Sequence, residues 1–255
     1  MTSHLNRHVL DRKQLAKEVG GPKYLDFFHA LYAQLRPKSY FEIGTQTGQS
    51  AQAFPCETVC VDPEFRVTTD IVGTRSRSHF FKMTSDDFFR TVDLRSIFPT
   101  GPDICFLDGM HRADYLLRDF TNVERWCRRD SIILLHDCVP ANHRMALRTH
   151  QPGLPAEGKW ADAWTGDVWK VAPVLAKFRP DLSIWLVDAA PTGLLVVQGL
   201  DPASTLLSDR YMDALAFMRS LTDFDGSELP PTIQILSARS LIAAPEDLTM
   251  FFRAF

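Results

Sequence analysis

The 255-residue chain has no excess of charge of either sign, since 28 lysines and arginines stand against 31 aspartates and glutamates for a formal net charge of −3. That balance argues against a polyphosphate partner, because nucleic-acid binders displace counterions with a basic surplus. Basic pairs such as Arg75/Arg77 and Arg128/Arg129 are expected on solvated faces. No apolar run approaches the roughly 18 uncharged residues that a membrane span requires, and the first stretch, MTSHLNRHVLDRKQ, lacks the apolar core of a signal peptide. Cysteine is scarce and odd in number, with five residues. Cys105 lies inside an apolar run, and Cys56 and Cys60 read as ordinary buried thiols, a pattern that suits a reducing compartment. A soluble, cytoplasmic protein is expected, without a nucleic-acid or membrane partner, and a homo-oligomer is left open. Internal repeats and low-complexity tracts are also lacking. So are the G-x-G-x-x-G fingerprint of pyrophosphate binders and the G-K-[ST] of triphosphate binders, which disfavours NAD, FAD and ATP.

What is present is a strict alternation. With 45% hydrophobic residues the chain can bury a large core, and its length suits one α/β domain with extensions. Short apolar runs at Tyr40–Ile43, Thr58–Val61, His79–Lys82, Ile104–Leu107, Ile132–Leu135, Ser183–Val187 and Gly193–Gln198 read as strands. Helical spacing lies before and between them: a polar helix at Asp11–Val19, then Tyr24–Leu35 stopped by Pro37, Ser85–Asp93 with Ser85 as N-cap, and Arg112–Cys127. Another helix is expected over Val168–Phe178, bent at Pro173. The DAAPT connection between the last two strands suggests an antiparallel hairpin at the sheet edge. These elements imply a Rossmann-like, doubly wound, mostly parallel sheet of seven strands with helices on both faces. N-terminal helices over 1–38, a core over 39–200 with a long loop at 138–167, and a helical extension over 201–255 would make up the domain. An aperiodic loop of that length is usually functional.

Ligands of such sheets bind outside the carboxyl ends of the strands. The first strand runs into Glu42-Ile-Gly44-Thr45-Gln46-Thr-Gly48, and the second ends at Asp62. Glycines let the backbone come close to a ligand. Glu42 would repel a phosphate and welcome an ammonium, and Asp62 is placed to accept ribose hydroxyls. Together they suit a nucleoside that carries a positively charged amino acid.

On these residues the chain resembles the class I S-adenosylmethionine-dependent methyltransferases, whose first motif of an acid and G-x-x-x-G matches Glu42, Gly44 and Gly48. The resemblance implies S-adenosyl-L-methionine as cofactor, held by Glu42, Gly44, Thr45, Gln46, Gly48 and Asp62. It places Met83, Thr84 and Ser85 of KMTSDDF beside the adenine. LDGMH after the fourth strand, LLRDF in the following helix, HDC after the fifth strand and GDVWKV later resemble the small-molecule O-methyltransferases that modify antibiotics and sugars. Carried over by position, Asp108 borders both donor and acceptor, Asp108 and Asp137 are candidate ligands of a divalent cation such as Mg²⁺, and His111 is the candidate base. His136 stands where that subfamily often has an acid, which softens the site and disfavours a hard ion. A soft-metal set of His136, Cys138 and His143 matches no closed zinc spacing. Trp160, Trp164 and Trp169 are candidates for a lid over a small-molecule acceptor. A noncatalytic nucleoside-binding domain is the alternative from another class, followed by an NAD-dependent oxidoreductase.

Overall fold

The computed structural model describes residues 6–12, 19–151, 163–222, 224 and 229–252. Most of the helix expected at Asp11–Val19, and Trp160, lie outside the described residues. Eight strands form one sheet: β1 (Ser39–Ile43), β2 (Glu57–Val61), β3 (Ser78–Phe81), β4 (Ile104–Leu107), β5 (Ile132–His136), β6 (Ser183–Val187), β7 (Leu194–Gln198) and β8 (Gln234–Leu236), in the order β3-β2-β1-β4-β5-β7-β6-β8. Only β7 runs antiparallel to its neighbours. The sheet is thus α/β and mostly parallel, as expected. It has one strand more than the seven expected, because the C-terminal segment supplies β8 parallel to β6. The β6–β7 hairpin therefore lies inside the edge.

Every residue of β1, β4, β5 and β7 is buried, which is what continuous apolar runs produce when both sheet faces are covered. On one face lie α3 (Ser85–Thr91), α4 (Ala113–Glu124), α5 (Val171–Phe178) and α7 (Tyr211–Ser220). The side chains of Phe41 and Ile43 join Phe88, Phe120, Val174 and Met218 there. On the other face lie α1 (Tyr24–Leu35), α8 (Ala238–Ala243) and α9 (Leu248–Phe251), where Tyr40 and Phe106 pack against Phe28, Leu241 and Phe252. Two short helices, α2 (Gln49–Gln52) after β1 and α6 (Leu206–Asp209) before α7, complete the set used below.

Several local expectations change. The N-cap of α3 is Thr84, not Ser85, because the Thr84 hydroxyl accepts from the Asp87 N–H at 3.1 Å. Pro173 sits in the first turn of α5, where a missing N–H costs no helical bond, and a single 3₁₀ turn at Val168–Lys170 precedes it. Arg75 is buried rather than solvated. Its guanidinium donates to the Ile71, Ala51 and Phe54 carbonyls and to the Thr58 hydroxyl, pinning α2 and the 71–75 segment to β2. Arg128 pairs with Asp103 at 2.6 Å and Asp130 at 2.9 Å. The tail is not purely helical, since β8 precedes α8. Among the described residues no helix is long and apolar enough to cross a membrane.

Candidate active site

The strand order reverses between β1 and β4, so their carboxyl ends open a crevice at the centre of the sheet. Gly44 leaves β1 at φ 89°, and a Cβ there would lie 1.9 Å from the Asp108 carbonyl oxygen. Only glycine allows that approach. The Asp108 N–H returns a bond to the Ile43 carbonyl at 2.9 Å, so the loops after β1 and β4 pack backbone to backbone. Gly48, at φ 83°, turns the chain into α2.

Glu42 is fully buried and points to the α1 face with Tyr40, whose hydroxyl donates to Oε2 at 2.6 Å. Its Oε1 makes no hydrogen bond to any described residue. Burial pushes the carboxyl up to about 7, against the smaller opposing pull of the Ser50, Tyr40 and Thr45 hydroxyls. Asp62 lies at the mouth of β2 and braces the glycine turn: Oδ2 accepts from the Gln46 N–H at 2.8 Å and Oδ1 from the Glu64 N–H at 2.7 Å. Gln46 itself stands at φ 43°. Thr45 is buried, its hydroxyl close enough to favour a charged Glu42 but without a well-formed hydrogen bond to any described residue. Met83 packs at the edge of the core below α3, while Thr84 is spent on its capping bond. Ser85 lies beside Asp119 of α4, a buried acid that burial raises to about 7. Asp119 also comes near Gly109 in the turn after β4; it is the acid of the LLRDF stretch, to which the sequence reading gave no role of its own.

Four residues meet at the ends of β4 and β5. His111 Nε2 lies 3.2 Å from Asp137 Oδ2 and 3.7 Å from Asp108 Oδ1, and His136 Nδ1 lies 3.3 Å from both Asp108 Oδ1 and Asp137 Oδ1. Burial works to raise Asp108, but the imidazoles, His136 foremost, outweigh it and hold the carboxyl well below the usual range. The same contacts push both histidines up to about 9 although burial opposes it. Asp137 stands at φ 61°, a strained conformation for a non-glycine residue, and accepts from the Thr192 hydroxyl at 2.5 Å.

The Nδ1–H of His111 donates to the Trp164 carbonyl at 2.7 Å, which leaves Nε2 as the atom facing the acids. Trp164 is anchored in turn by its indole N–H on the Leu147 carbonyl at 2.6 Å. Gly166, at φ 63°, lets the strap pass the His111 carbonyl, which a Cβ would approach to 1.7 Å. Asp167 then accepts from the Ala113 N–H at 2.9 Å and caps α4. Part of the expected loop is thus a strap that holds His111. Trp169 is core. Thr192, Tyr24 and the Trp164 carbonyl escaped a reading by motif because each arrives from a distant segment.

One carboxylate oxygen each from Asp108 and Asp137 and one nitrogen of His111 lie within 4.8 Å of one another, a donor set that fits a divalent cation. That grouping contains His111, whereas His136 turns its ring under Tyr24, at 4.4 Å between centroids, and leaves Nε2 buried without a partner among the described residues. Cys138 gives its S–H to the His136 carbonyl at 3.4 Å rather than joining a metal set.

An α/β sheet with acids and glycine turns gathered at its switch point is a fold that binds ligands outside the carboxyl ends of its strands. Residues 41–138 match the family described as a methyltransferase domain, and this span holds Glu42, Gly44, Asp62, Asp108 and Asp137. The resemblance implied by those residues is borne out over that segment. No curated protein matches the chain. Among solved structures it is similar to the S-adenosylhomocysteine-bound methyltransferase PaMTH1 of Podospora anserina, at 15% identity over 69% of this chain and 77% of that one, with a TM-score of 0.48. It is also similar to the O-methyltransferase TomG of Streptomyces achromogenes, crystallised with S-adenosylmethionine, at 18% identity over 70% and 80% of the two chains, TM-score 0.49. An O-methyltransferase of Bacillus cereus in complex with S-adenosylhomocysteine gives 13% identity over 68% and 79%, TM-score 0.49.

Proposed function

We propose that the chain is an S-adenosylmethionine-dependent methyltransferase that transfers the methyl group to a hydroxyl of a small molecule. One observation carries the reading: the glycine turn after β1 packs on the Asp108 backbone, and the Asp108 side chain shares a cluster with His111 and Asp137. The place suited to an amino-acid-bearing nucleoside therefore adjoins the place suited to an acceptor hydroxyl. The matched family over residues 41–138 supports the donor.

Methyl transfer from a sulfonium is an in-line displacement that needs orientation more than covalent help, and holding two reactants in line removes about 7–11 kcal/mol of barrier. Glu42, the turn Gly44–Gly48 and Asp62 are assigned to the donor, with Met83 and Ser85 near its base. His111 is assigned as base, with its Nδ1–H fixed on Trp164 so that Nε2 is the atom that takes the proton. Asp108 and Asp137 hold that imidazole in place and raise its proton affinity, so the rate should rise with pH toward about 9 in the unliganded cluster. A divalent cation held by Asp108, Asp137 and His111 Nε2 would occupy that lone pair and would act in place of the base, by lowering the pKa of an acceptor hydroxyl. The described part of the 138–167 segment borders this cluster and is assigned to acceptor selection.

Incubation with methyl-labelled S-adenosylmethionine and a panel of phenols, sugars and hydroxy acids tests the proposal. Label transfer that Asp137→Asn abolishes would support it. Tight donor binding with no transfer across the panel would favour a noncatalytic nucleoside-binding domain instead.

A further inference from the structure

The phenol of Tyr24 is a polar group beside this crevice that the described residues leave unused. Tyr24 opens α1, and its N–H donates to the Ala190 carbonyl at 2.9 Å while the Ala190 N–H donates to the Pro22 carbonyl at 2.7 Å. Gly21 adds a third rung on the Asp188 carbonyl at 3.1 Å. These bonds lash the start of α1 to the 188–192 connection, the same connection from which Thr192 reaches Asp137. The ring is fixed as firmly as the backbone, with centroids at 4.4 Å from His136, 5.3 Å from Phe28 and 6.0 Å from Phe106.

The hydroxyl nevertheless makes no hydrogen bond to any described residue, although Asp108, Glu42 and Asp137 all act on it electrostatically. A phenol, with an ordinary pKa of about 10, is a proton donor at neutral pH. The hydroxyl is not among the sealed, unsatisfied atoms, so it is open to the crevice, where a ligand acceptor can take the place of water. The chemistry around it narrows what that atom is. The orphaned Oε1 of Glu42 suits an ammonium, and the positive charges that face Asp108 and Asp137 are imidazoles already engaged with them. A zwitterionic ligand end brings a carboxylate as well as an ammonium. The Thr45 hydroxyl and His136 Nε2 also lack partners among the described residues but are sealed from solvent, whereas Tyr24 is only part-buried, so its neutral O–H is the donor that an entering carboxylate can reach.

We propose that Tyr24 binds the methyl donor, its hydroxyl giving a hydrogen bond to the carboxylate of the donor's amino-acid end while the ammonium faces Glu42. The assignment rests on the reading of the crevice as an S-adenosylmethionine site. It makes α1, outside the family-matched segment, part of the donor site.

Calorimetric titration of the full chain, wild type and Tyr24→Phe, with S-adenosylhomocysteine and with 5′-methylthioadenosine separates the two claims. Phenylalanine keeps the ring contacts, and methylthioadenosine lacks the amino-acid end. The variant is expected to lose roughly ten- to hundredfold in affinity for S-adenosylhomocysteine, the range of a hydrogen bond to a charged group, and none for methylthioadenosine. Unchanged affinity for S-adenosylhomocysteine would overturn the role of Tyr24 and leave the site reading standing. Equal losses for both ligands would also overturn it, by showing a general packing effect. Absence of S-adenosylhomocysteine binding to the wild type would overturn the site reading, and the Tyr24 assignment with it.

Discussion

Glu42→Gln should make the unliganded protein more stable at pH 8 and a poorer binder of the methyl donor. Glu42 is wholly buried, one oxygen held by Tyr40 at 2.6 Å and the other without a partner among the described residues, and burial lifts its carboxyl from 4.5 to about 7. A carboxyl with a raised folded pKa favours folding while protonated: the stabilisation is full below the unfolded value and is lost as pH rises through the folded one. At pH 8 the whole gap counts against the folded state, about 3 kcal/mol at roughly 1.4 kcal/mol per pKa unit. Glutamine carries no charge and can still accept from Tyr40, so most of that cost should vanish. For a chain of this size about 3 kcal/mol corresponds to a rise in melting temperature on the order of 6–12 °C. At pH 5 the gain should be close to nil, since the wild-type acid is protonated there in the fold. Donor binding should fall, because an ammonium would lose a charged partner worth about 1.5–3 kcal/mol. Scanning calorimetry at both pH values and titration with S-adenosylhomocysteine at pH 8 read both effects. A melting temperature lowered equally at pH 5 and pH 8 would refute the reasoning, by showing that the ionised carboxylate is well solvated or paired inside.

Gly44→Ala puts a side chain at φ 89° and 1.9 Å from the Asp108 carbonyl, so a loss of more than about 2 kcal/mol in denaturant unfolding is expected, with donor affinity. Stability within 0.5 kcal/mol of wild type, in order of magnitude, would contradict the close packing of the two loops. Arg179→Met strands Glu124, which Arg179 grips at 2.5 and 2.8 Å in the buried junction of α4 and α5, and should cost about 3–5 kcal/mol; a second change, Glu124→Leu, should restore much of it. His111 and His136, raised to about 9, give stability that is full below 6.5 and lost as pH climbs through 9. The unliganded melting temperature should therefore fall between pH 6.5 and 9, less steeply in His136→Asn, and a rise over that range would count against the cluster.

The parts of the fold legible in the sequence are those that short-range chemistry dictates. β4 and β5 show as apolar runs because both of their faces are covered, and Glu42 within β1 and Asp62, Asp108 and Asp137 just past β2, β4 and β5 stand out because an acid in or beside such a run needs solvent or a partner. Gly44 and Gly48 were legible for the same local reason, as turn residues at a strand end. β8 was not, since three residues carry no period and its identity as a strand comes from pairing with β6. Arg75 looked solvated because its acceptors are mostly carbonyls of other segments, which leave no mark in the sequence. Within the site, the hold on His111 comes from Trp164, some fifty positions later, and the brace on Asp137 from Thr192. Tyr24 reads as an ordinary helix residue until the 188–192 connection sets it over His136. What escaped was thus the non-local support of residues that were themselves visible.

The site reading is tested most directly by isothermal titration of the wild-type chain with S-adenosylhomocysteine, with NAD as the control ligand. Saturable one-to-one binding of the homocysteine nucleoside and no heat from NAD is the expected result. Absence of binding, or preference for NAD, would contradict the assignment of the crevice between β1 and β4 to a methyl donor.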